Sequence, residues 1–211
     1  METQLRKQIQ SVLVSDYRGP RASYSEVDVL KALIAIGNSA TSVGRLKLGK
    51  ITGLGQGEVR TLIARLKDAG LIAVNARGCT LTEKGRKKFE SISKSLPFSE
   101  AVDAKDLDLG KFTWYVILRD REEKLRKGLE QRDASVRAGA TGALTVLYSH
   151  GKFQIPGDQS AEDCEAMGPS EPWTTIRQRA SPKSGDIVIV SGADSRTLAE
   201  EGALAAALTL L

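Results

Sequence analysis

The stretch from Arg45 to Leu81 constrains the fold of this chain more than any other. Apolar residues recur in it at spacings of three and four, at Val59, Leu62, Ile63 and Leu66. This spacing predicts a helix from near Gln56 to Gly70 with one face in a core, and glycine at its end suits a left-handed cap. A shorter helix is expected before it, across a turn that holds three glycines: Gly53, Gly55 and Gly57.

The opposite face of the longer helix is mostly polar. It carries Gln56, Arg60, Thr61, Ala64 and Arg65. Two guanidinium groups and two neutral hydrogen-bonding side chains suit phosphates and base edges in a DNA major groove.

The residues after this helix predict a two-stranded hairpin and one more helix. Leu71 to Val74 and Cys79 to Leu81 can pair as strands around the turn residues Asn75 to Gly78. The segment Thr82-Glu83-Lys84-Gly85 then opens a helix. This order resembles the winged-helix domains of prokaryotic transcription regulators over about residues 22–95.

The resemblance implies that Gln56 to Arg65 match the recognition helix and that Arg77 matches the tip of the wing. We further expect basic residues of the preceding helix to hold the DNA backbone. The predicted DNA-binding residues are Arg45, Lys47, Lys50, Gln56, Arg60, Thr61, Arg65 and Arg77.

The charge distribution favours a polyanionic partner for the N-terminal half. Residues 1–96 hold 17 Lys and Arg against 8 Asp and Glu, a net charge of +9. Residues 97–211 hold 14 against 18, a net charge of −4. One basic and one weakly acidic half are typical of a protein in which one domain meets phosphate and the other does not.

The chain is long enough for two small domains. Residues 1–96 are expected to form the winged-helix domain, including an amphipathic helix from Glu2 to Val14 that packs on its own domain or on a second copy. Residues 97–110 are acidic and predict a linker, and residues 111–211 predict a second domain.

The second domain is predicted to be a small α+β domain of order β-α-β-β-(β)-β-α, with helices on one sheet face. Strands are expected at 111–118, 139–149, 153–155, 173–178 and 186–191. A helix is expected from Asp120 to Gln131, a loop from Gln159 to Pro172, and a closing helix from Ser195 to Leu211. The small residues of the closing helix predict a core helix, a dimer interface or both.

The loop before the closing helix is a candidate ligand site. Free N–H groups and the helix dipole converge there, and such a site suits an anionic or polar effector. Its residues are Gly192, Asp194, Ser195 and Arg196, with Arg119, Arg132 and Arg137 able to add charge. The alternative is that Asp194 or Ser195 only caps the helix.

The whole arrangement also resembles an uncharacterised archaeal family in which a winged helix precedes an α+β domain of unknown function. The residues that suggest it are 139–144, the strand from Gly185 to Ile189, and Ala193-Asp194 before an alanine-rich helix. This resemblance implies a fold and no activity.

Several other classes are not expected. The single histidine, His150, and the distant Cys79 and Cys164 predict no metal site, no cofactor and no catalytic residue. The N-terminus lacks a signal peptide pattern, and the closing helix is charged and short for a membrane span, so a cytoplasmic protein without membrane contact is expected.

Together these features predict a homodimeric, sequence-specific regulator that binds duplex DNA and is not an enzyme. Two alternatives remain open at this point. The winged helix can instead be a protein-interaction module of a larger assembly, or the C-terminal domain can be a small-molecule enzyme with a pocket around His150, Asp194 or the arginines.

Overall fold

The computed structural model of the chain describes residues 4–13, 23–157, 162–168 and 171–211. The chain divides into two compact units, Met1–Ser93 (unit 1) and Lys94–Leu211 (unit 2). The expected helix ends at Glu2 and Val14 lie outside the described residues.

Unit 1 consists of helices followed by a hairpin and a further helix. Its elements are α1 (Gln4–Leu13), α2 (Glu26–Gly37), α3 (Arg45–Thr52), α4 (Gln56–Asp68), β1 (Ile72–Asn75), β2 (Gly78–Leu81) and α5 (Glu83–Ser95). Strands β1 and β2 pair antiparallel, and Ala76 and Arg77 form the turn between them. Helix α1 packs against α2 and α4 of its own unit, which was one of its two expected positions.

Local capping sets the helix ends in unit 1. Ser25 and Asp28 form a reciprocal capping box at the start of α2, with the Ser25 backbone N–H donating to the Asp28 carboxylate over 2.8 Å. Gly53 ends α3 in a left-handed conformation, at φ 76°. The Gly55 N–H donates to the Glu58 carboxylate over 2.8 Å and starts α4. Two glycines of the crowded turn therefore have structural roles.

Val59, Leu62 and Leu66 of α4 lie in the core of unit 1, as their spacing predicts, whereas Ile63 is half-buried. The fully buried side chains of this unit include Leu30, Leu33, Leu48, Leu62, Leu66 and Ile92. Helix α2 packs against α3, and α3 packs against α4. The recurrence of leucine and isoleucine at helical spacing is enough to explain this arrangement.

Thr82 ties the end of α4, the hairpin and α5 together. Its hydroxyl donates to the Gly70 carbonyl over 2.6 Å and accepts from the Gly85 N–H over 3.0 Å. Its backbone N–H donates to the Leu71 carbonyl over 3.1 Å. A Cβ on Gly85 would collide with that same Leu71 carbonyl, so only glycine allows α5 to approach this closely.

Unit 2 is built on one six-stranded antiparallel sheet of order β3-β4-β8-β5-β6-β7. The strands are β3 (Phe98–Val102), β4 (Phe112–Leu118), β5 (Gly142–Ser149), β6 (Lys152–Ile155), β7 (Glu162–Asp163) and β8 (Asp186–Ala193). The helices are α6 (Leu129–Arg137), α7 (Cys164–Met167), α8 (Glu171–Ala180) and α9 (Arg196–Leu208). The α+β class is confirmed.

Helices cover both faces of this sheet, so the expectation of helices on one face is wrong. Trp173 and Ile176 of α8 pack with Tyr115, Ile117 and other residues of one face. Helices α6 and α9 pack together and against the opposite face. All eight residues of the central strand β8 are buried as a result.

Residues 97–110 are not a linker. They belong to unit 2, where β3 pairs with β4 along its full length, and a short 3-10 helix (Lys105–Leu107) follows. The polar residues that gave the segment an irregular pattern are bonded to β4. The Trp114 indole N–H donates to the Ser99 hydroxyl over 2.9 Å, and the Tyr115 hydroxyl donates to the Glu100 carboxylate over 2.7 Å.

Three further expectations for unit 2 are corrected. The segment 173–178 is helical within α8, because Trp173, Ile176 and Ala180 lie three and four residues apart on one buried face. The helix expected over 120–131 is a 3-10 turn at Glu122–Lys124, with α6 beginning only at Leu129. The expected loop over 159–172 contains β7 and α7 among its described residues.

The small residues of α9 serve the core of unit 2. A Cβ on Gly202 would lie 2.5 Å from the Ser191 hydroxyl and 2.6 Å from that of Ser135.

Cys79 and Cys164 are buried free thiols, and burial raises the pKa of both, that of Cys164 to about 11. Within the described ranges, no helix has the length and apolar character to cross a membrane.

Two glycine-to-alanine variants test the packing around Thr82. Gly85→Ala places a methyl group against the Leu71 carbonyl, and such overpacking costs about 1–3 kcal/mol. Gly57→Ala adds the same group to α4, where nothing lies within 4 Å, and gains up to about 1 kcal/mol of helix propensity. We expect the urea midpoint of unfolding, followed by far-UV circular dichroism, to fall for Gly85→Ala and to rise for Gly57→Ala. Equal midpoints would refute the close approach at Gly85.

Candidate nucleic-acid interface

Helices α3 and α4 present most of the predicted DNA-binding residues to solvent. Arg45, Lys47 and Lys50 of α3 are exposed, as are Gln56, Arg60 and Thr61 of α4, and Arg77 at the hairpin turn. The burial of Leu48, Val59 and Leu62 on the inner faces of the two helices turns these polar residues outward. They are placed by ordinary helix amphipathicity.

Three arginines from three separate elements share one concavity of unit 1. Arg45 from the start of α3, Arg60 from α4 and Arg77 from the hairpin turn line a groove of about 400 Å³, here called the arginine groove. Ile63 and Val74 provide apolar parts of its wall. Among the described residues that line it, none is acidic. Three guanidinium groups without a local carboxylate make the groove a strong attractor for anions.

Asn75 organises the hairpin turn that carries Arg77. Its side-chain oxygen accepts from the backbone N–H of Arg77 over 2.8 Å and from that of Gly78 over 3.2 Å. Asparagine is favoured in turns for this kind of bond to the backbone two residues on. The backbone beneath the Arg77 side chain is therefore fixed locally.

The remaining predicted residues lie outside the arginine groove. Lys47, Lys50 and Gln56 are exposed elsewhere on α3 and α4. The Thr61 hydroxyl donates to the Gly57 carbonyl over 3.1 Å, which engages it with its own helix.

Arg65 does not share the outward face of α4. Its guanidinium donates to the Leu13 carbonyl and lies 5.9 Å from the centre of the Tyr24 ring. Burial raises the pKa of Tyr24, and the positive charge of Arg65 opposes that shift. The side chain thus holds unit 1 together, and the expectation that it faces a DNA groove is corrected.

Sequence reasoning missed two exposed apolar side chains beside the arginines. Leu46 of α3 is 68% exposed and Val74 of β1 is 45% exposed. Leu46 follows Arg45 directly in the chain, and Val74 lines the arginine groove itself. For Leu46 the flanking Arg45 and Lys47 are the available signal, because an apolar residue between two charged ones has no core to enter.

The proposed ligand loop of unit 2 is not assembled as a site. The Ser195 hydroxyl accepts from the Leu198 N–H over 3.2 Å and so caps α9. Gly192 packs against Leu109, whose carbonyl would collide with any Cβ there. Asp194 and Arg196 are exposed, and Arg196 lines a separate concavity of about 280 Å³ with Lys105 and Lys111.

The arginines expected to add charge to that loop lie elsewhere or face solvent. Arg119 forms an ion pair with Asp186 at the opposite end of β8 from Asp194. Arg132 and Arg137 are exposed on α6. The exposed His150, in the turn after β5, also lies toward the Asp186 end. Eight residues of strand separate the two ends by roughly 26 Å, so His150 and Asp194 share no pocket.

Comparison with known proteins gives one family match in the C-terminal half and one similar fold. Residues 109–210 match the family model described as "Domain of unknown function (DUF4443)". A solved structure of a hypothetical protein from Pyrococcus horikoshii OT3 superposes with a TM-score of 0.70 at 22% sequence identity, covering 89% of this chain and 93% of that one. No curated protein matches the chain. The expected C-terminal domain of unknown function is thus confirmed, and the chain shares its fold with an archaeal protein.

Substitution of Asn75 tests the positioning of Arg77. Asn75→Ala removes the acceptor for two turn amides, each worth about 0.5–1.5 kcal/mol. Hydrogen exchange of the Arg77 and Gly78 amides should become about two- to tenfold faster. Asn75→Asp keeps an acceptor oxygen and should retain the protection. Unchanged exchange in Asn75→Ala would show that the side chain does not hold the turn.

Proposed function

We propose that the chain is a sequence-specific transcription regulator that binds duplex DNA through unit 1. In this proposal unit 1 is a winged-helix domain, α4 is its recognition helix and the β1–β2 hairpin is its wing. Unit 2 then supplies dimerisation, effector binding or both. The arginine groove is the observation that carries the proposal.

The chemistry of the groove favours DNA over smaller anions. Its three arginines come from a helix start, a helix face and a hairpin turn, so they face a ligand from several directions. Guanidinium groups bind both phosphate oxygens and the O6 and N7 atoms of guanine in two-pronged geometry. An exposed α4 flanked by such groups has the form of an element that enters a major groove.

The exposed apolar residues fit the same partner. Val74 lines the arginine groove, and Leu46 is exposed and follows Arg45 in the chain. Apolar side chains contact the methyl group of thymine in the major groove, which distinguishes it from cytosine. An arginine and a nearby apolar side chain can therefore contact a guanine and a thymine methyl group, respectively.

The same two residues favour a second candidate, a winged-helix module that docks on another protein. Protein interfaces have an apolar centre and are enriched in arginine. In that case the chain would bind duplex DNA weakly and without preference, and a stable protein partner would be recovered with it.

The dimeric state of the proposed regulator rests on unit 2. Helix α9 is buried in the core of its own unit, so its small residues are already covered. Leu129 is 57% exposed and Val136 is 45% exposed, seven residues apart on α6. Two exposed apolar residues at that spacing lie on one helix face, which a second copy would cover.

Selection of genomic DNA tests the function directly. Purified full-length protein is mixed with fragmented genomic DNA near physiological salt, and the retained fragments are sequenced. We expect enrichment of a few sites that contain paired half-sites, because a dimer matches a palindrome. Uniform recovery that disappears as salt rises would leave only phosphate attraction and would contradict a specific regulator.

Arg60→Ala tests the role of α4 once a site is known. If Arg60 contacts a guanine through two bonds, its loss should weaken specific binding by about 1–3 kcal/mol and relax the preference at one base pair. Lys67→Ala removes an exposed charge of the same helix outside the arginine groove and is the matched control. Fluorescence anisotropy against specific and scrambled duplexes measures both variants. Equal losses for both duplexes would make Arg60 a phosphate contact.

A further inference from the structure

A second concavity of unit 1 lies on the other side of the hairpin turn. It has a volume of about 480 Å³, and we call it the hydroxyl groove. Its polar lining is formed by four hydroxyl side chains and two arginines, Ser39, Thr41, Ser42, Thr80, Arg77 and Arg86. Ile36 and Leu81 contribute apolar parts of the wall.

The donors in this groove suit a phosphodiester. Hydroxyl and guanidinium groups donate hydrogen bonds to phosphate oxygens, and no acidic side chain occurs among the described residues that line the groove. The groove is therefore equipped to hold a phosphodiester backbone.

Arg77 lines both the hydroxyl groove and the arginine groove, so the two basic concavities lie on either side of one side chain. A nucleic-acid strand that leaves the arginine groove over the turn would enter the hydroxyl groove. Two neighbouring basic concavities that share an arginine suit an extended polyanion.

The loop that supplies the hydroxyls is held rigidly to the hairpin. Val43 and Cys79 exchange two backbone hydrogen bonds of 2.9 Å each. Gly78 lies so close to the loop that a Cβ on it would be 2.6 Å from the Val43 carbonyl. The Ser39–Ser42 loop and the hairpin turn thus keep a fixed spacing, and the groove between them needs no rearrangement before it binds.

We propose that the hydroxyl groove binds the sugar-phosphate backbone of the same duplex whose bases meet the arginine groove. This inference rests on the proposed function, because it assigns a second contact to that DNA. Arg86 and the hydroxyl groups supply affinity without sequence preference, and Arg77 bridges the two contacts.

The test compares the full-length chain with three variants on specific and random duplexes over a range of salt. Arg86→Gln should lower the affinity for both duplexes by the same factor, about three- to tenfold. It should also reduce the slope of log K against log salt by about 1. Thr80→Val removes a hydroxyl group and leaves the net charge unchanged. It should lower the affinity for both duplexes about two- to fivefold without changing the slope. Lys87→Gln is the charge control, since Lys87 is the next residue but pairs with Glu83 at 2.9 Å outside this groove.

The outcomes separate this inference from the function on which it rests. If Arg86→Gln behaves like Lys87→Gln and Thr80→Val like the unmodified chain, the hydroxyl groove does not touch DNA, although specific binding can stand. If the chain prefers no sequence but Arg86→Gln still lowers the slope of log K against log salt, the proposal of a sequence-specific regulator is wrong. The proposal that the hydroxyl groove binds the DNA backbone is then supported.

Inorganic phosphate identifies a different occupant. Thermal unfolding is measured in potassium phosphate and in potassium chloride of equal ionic strength, with the full-length chain and with Arg86→Gln. Phosphate-specific stabilisation that Arg86→Gln abolishes, together with unchanged duplex affinity in that variant, would make the groove a small-anion site and overturn the inference.

Discussion

The three hydrogen bonds of Thr82 fix the geometry on which the candidate interface depends. They connect Gly70 and Leu71, which lie between α4 and β1, with the first turn of α5. The hairpin leaves and returns between these fixed points, so its direction relative to α4 is set at its base. Arg77 at the far end can then face Arg60 across a groove. A short hairpin alone is marginal in water, and this anchoring is what makes its turn a defined position.

Arginines of this chain are used in two different ways. In unit 2, arginines form ion pairs with carboxylates: Arg119 with Asp186, Arg177 with Glu165 and Arg179 with Glu100. In the arginine groove of unit 1, the described lining holds three arginines and no carboxylate. Pairing within the chain satisfies a guanidinium, whereas clustering like charges costs free energy that only an external anion offsets. The sequence count of charges in each half reports this difference, but it cannot tell which arginine is paired.

Features set by interactions between residues close in sequence could be predicted, and features set by distant residues could not. Helix α4 and the hairpin could be predicted because periodicity, glycine and turn residues act within a few positions. Arg65 could not be assigned correctly, because its partner Leu13 is 52 residues away and both lie at helix ends. The strand β3 was hidden for the same reason. Its polar residues are compatible with an edge strand only because Trp114 and Tyr115 of β4 supply their hydrogen bonds.

The composition of the two grooves favours DNA over a protein as the partner of unit 1. A stable protein interface buries about 800 Å² on each side around a well-packed apolar centre. Leu46 and Val74 are the strongly exposed large apolar residues described in unit 1, too few to form such a centre. The arginine groove and the hydroxyl groove instead offer guanidinium and hydroxyl donors on both sides of Arg77. That distribution suits the regularly spaced phosphates of a DNA backbone. The apolar residues are then available to contact the bases.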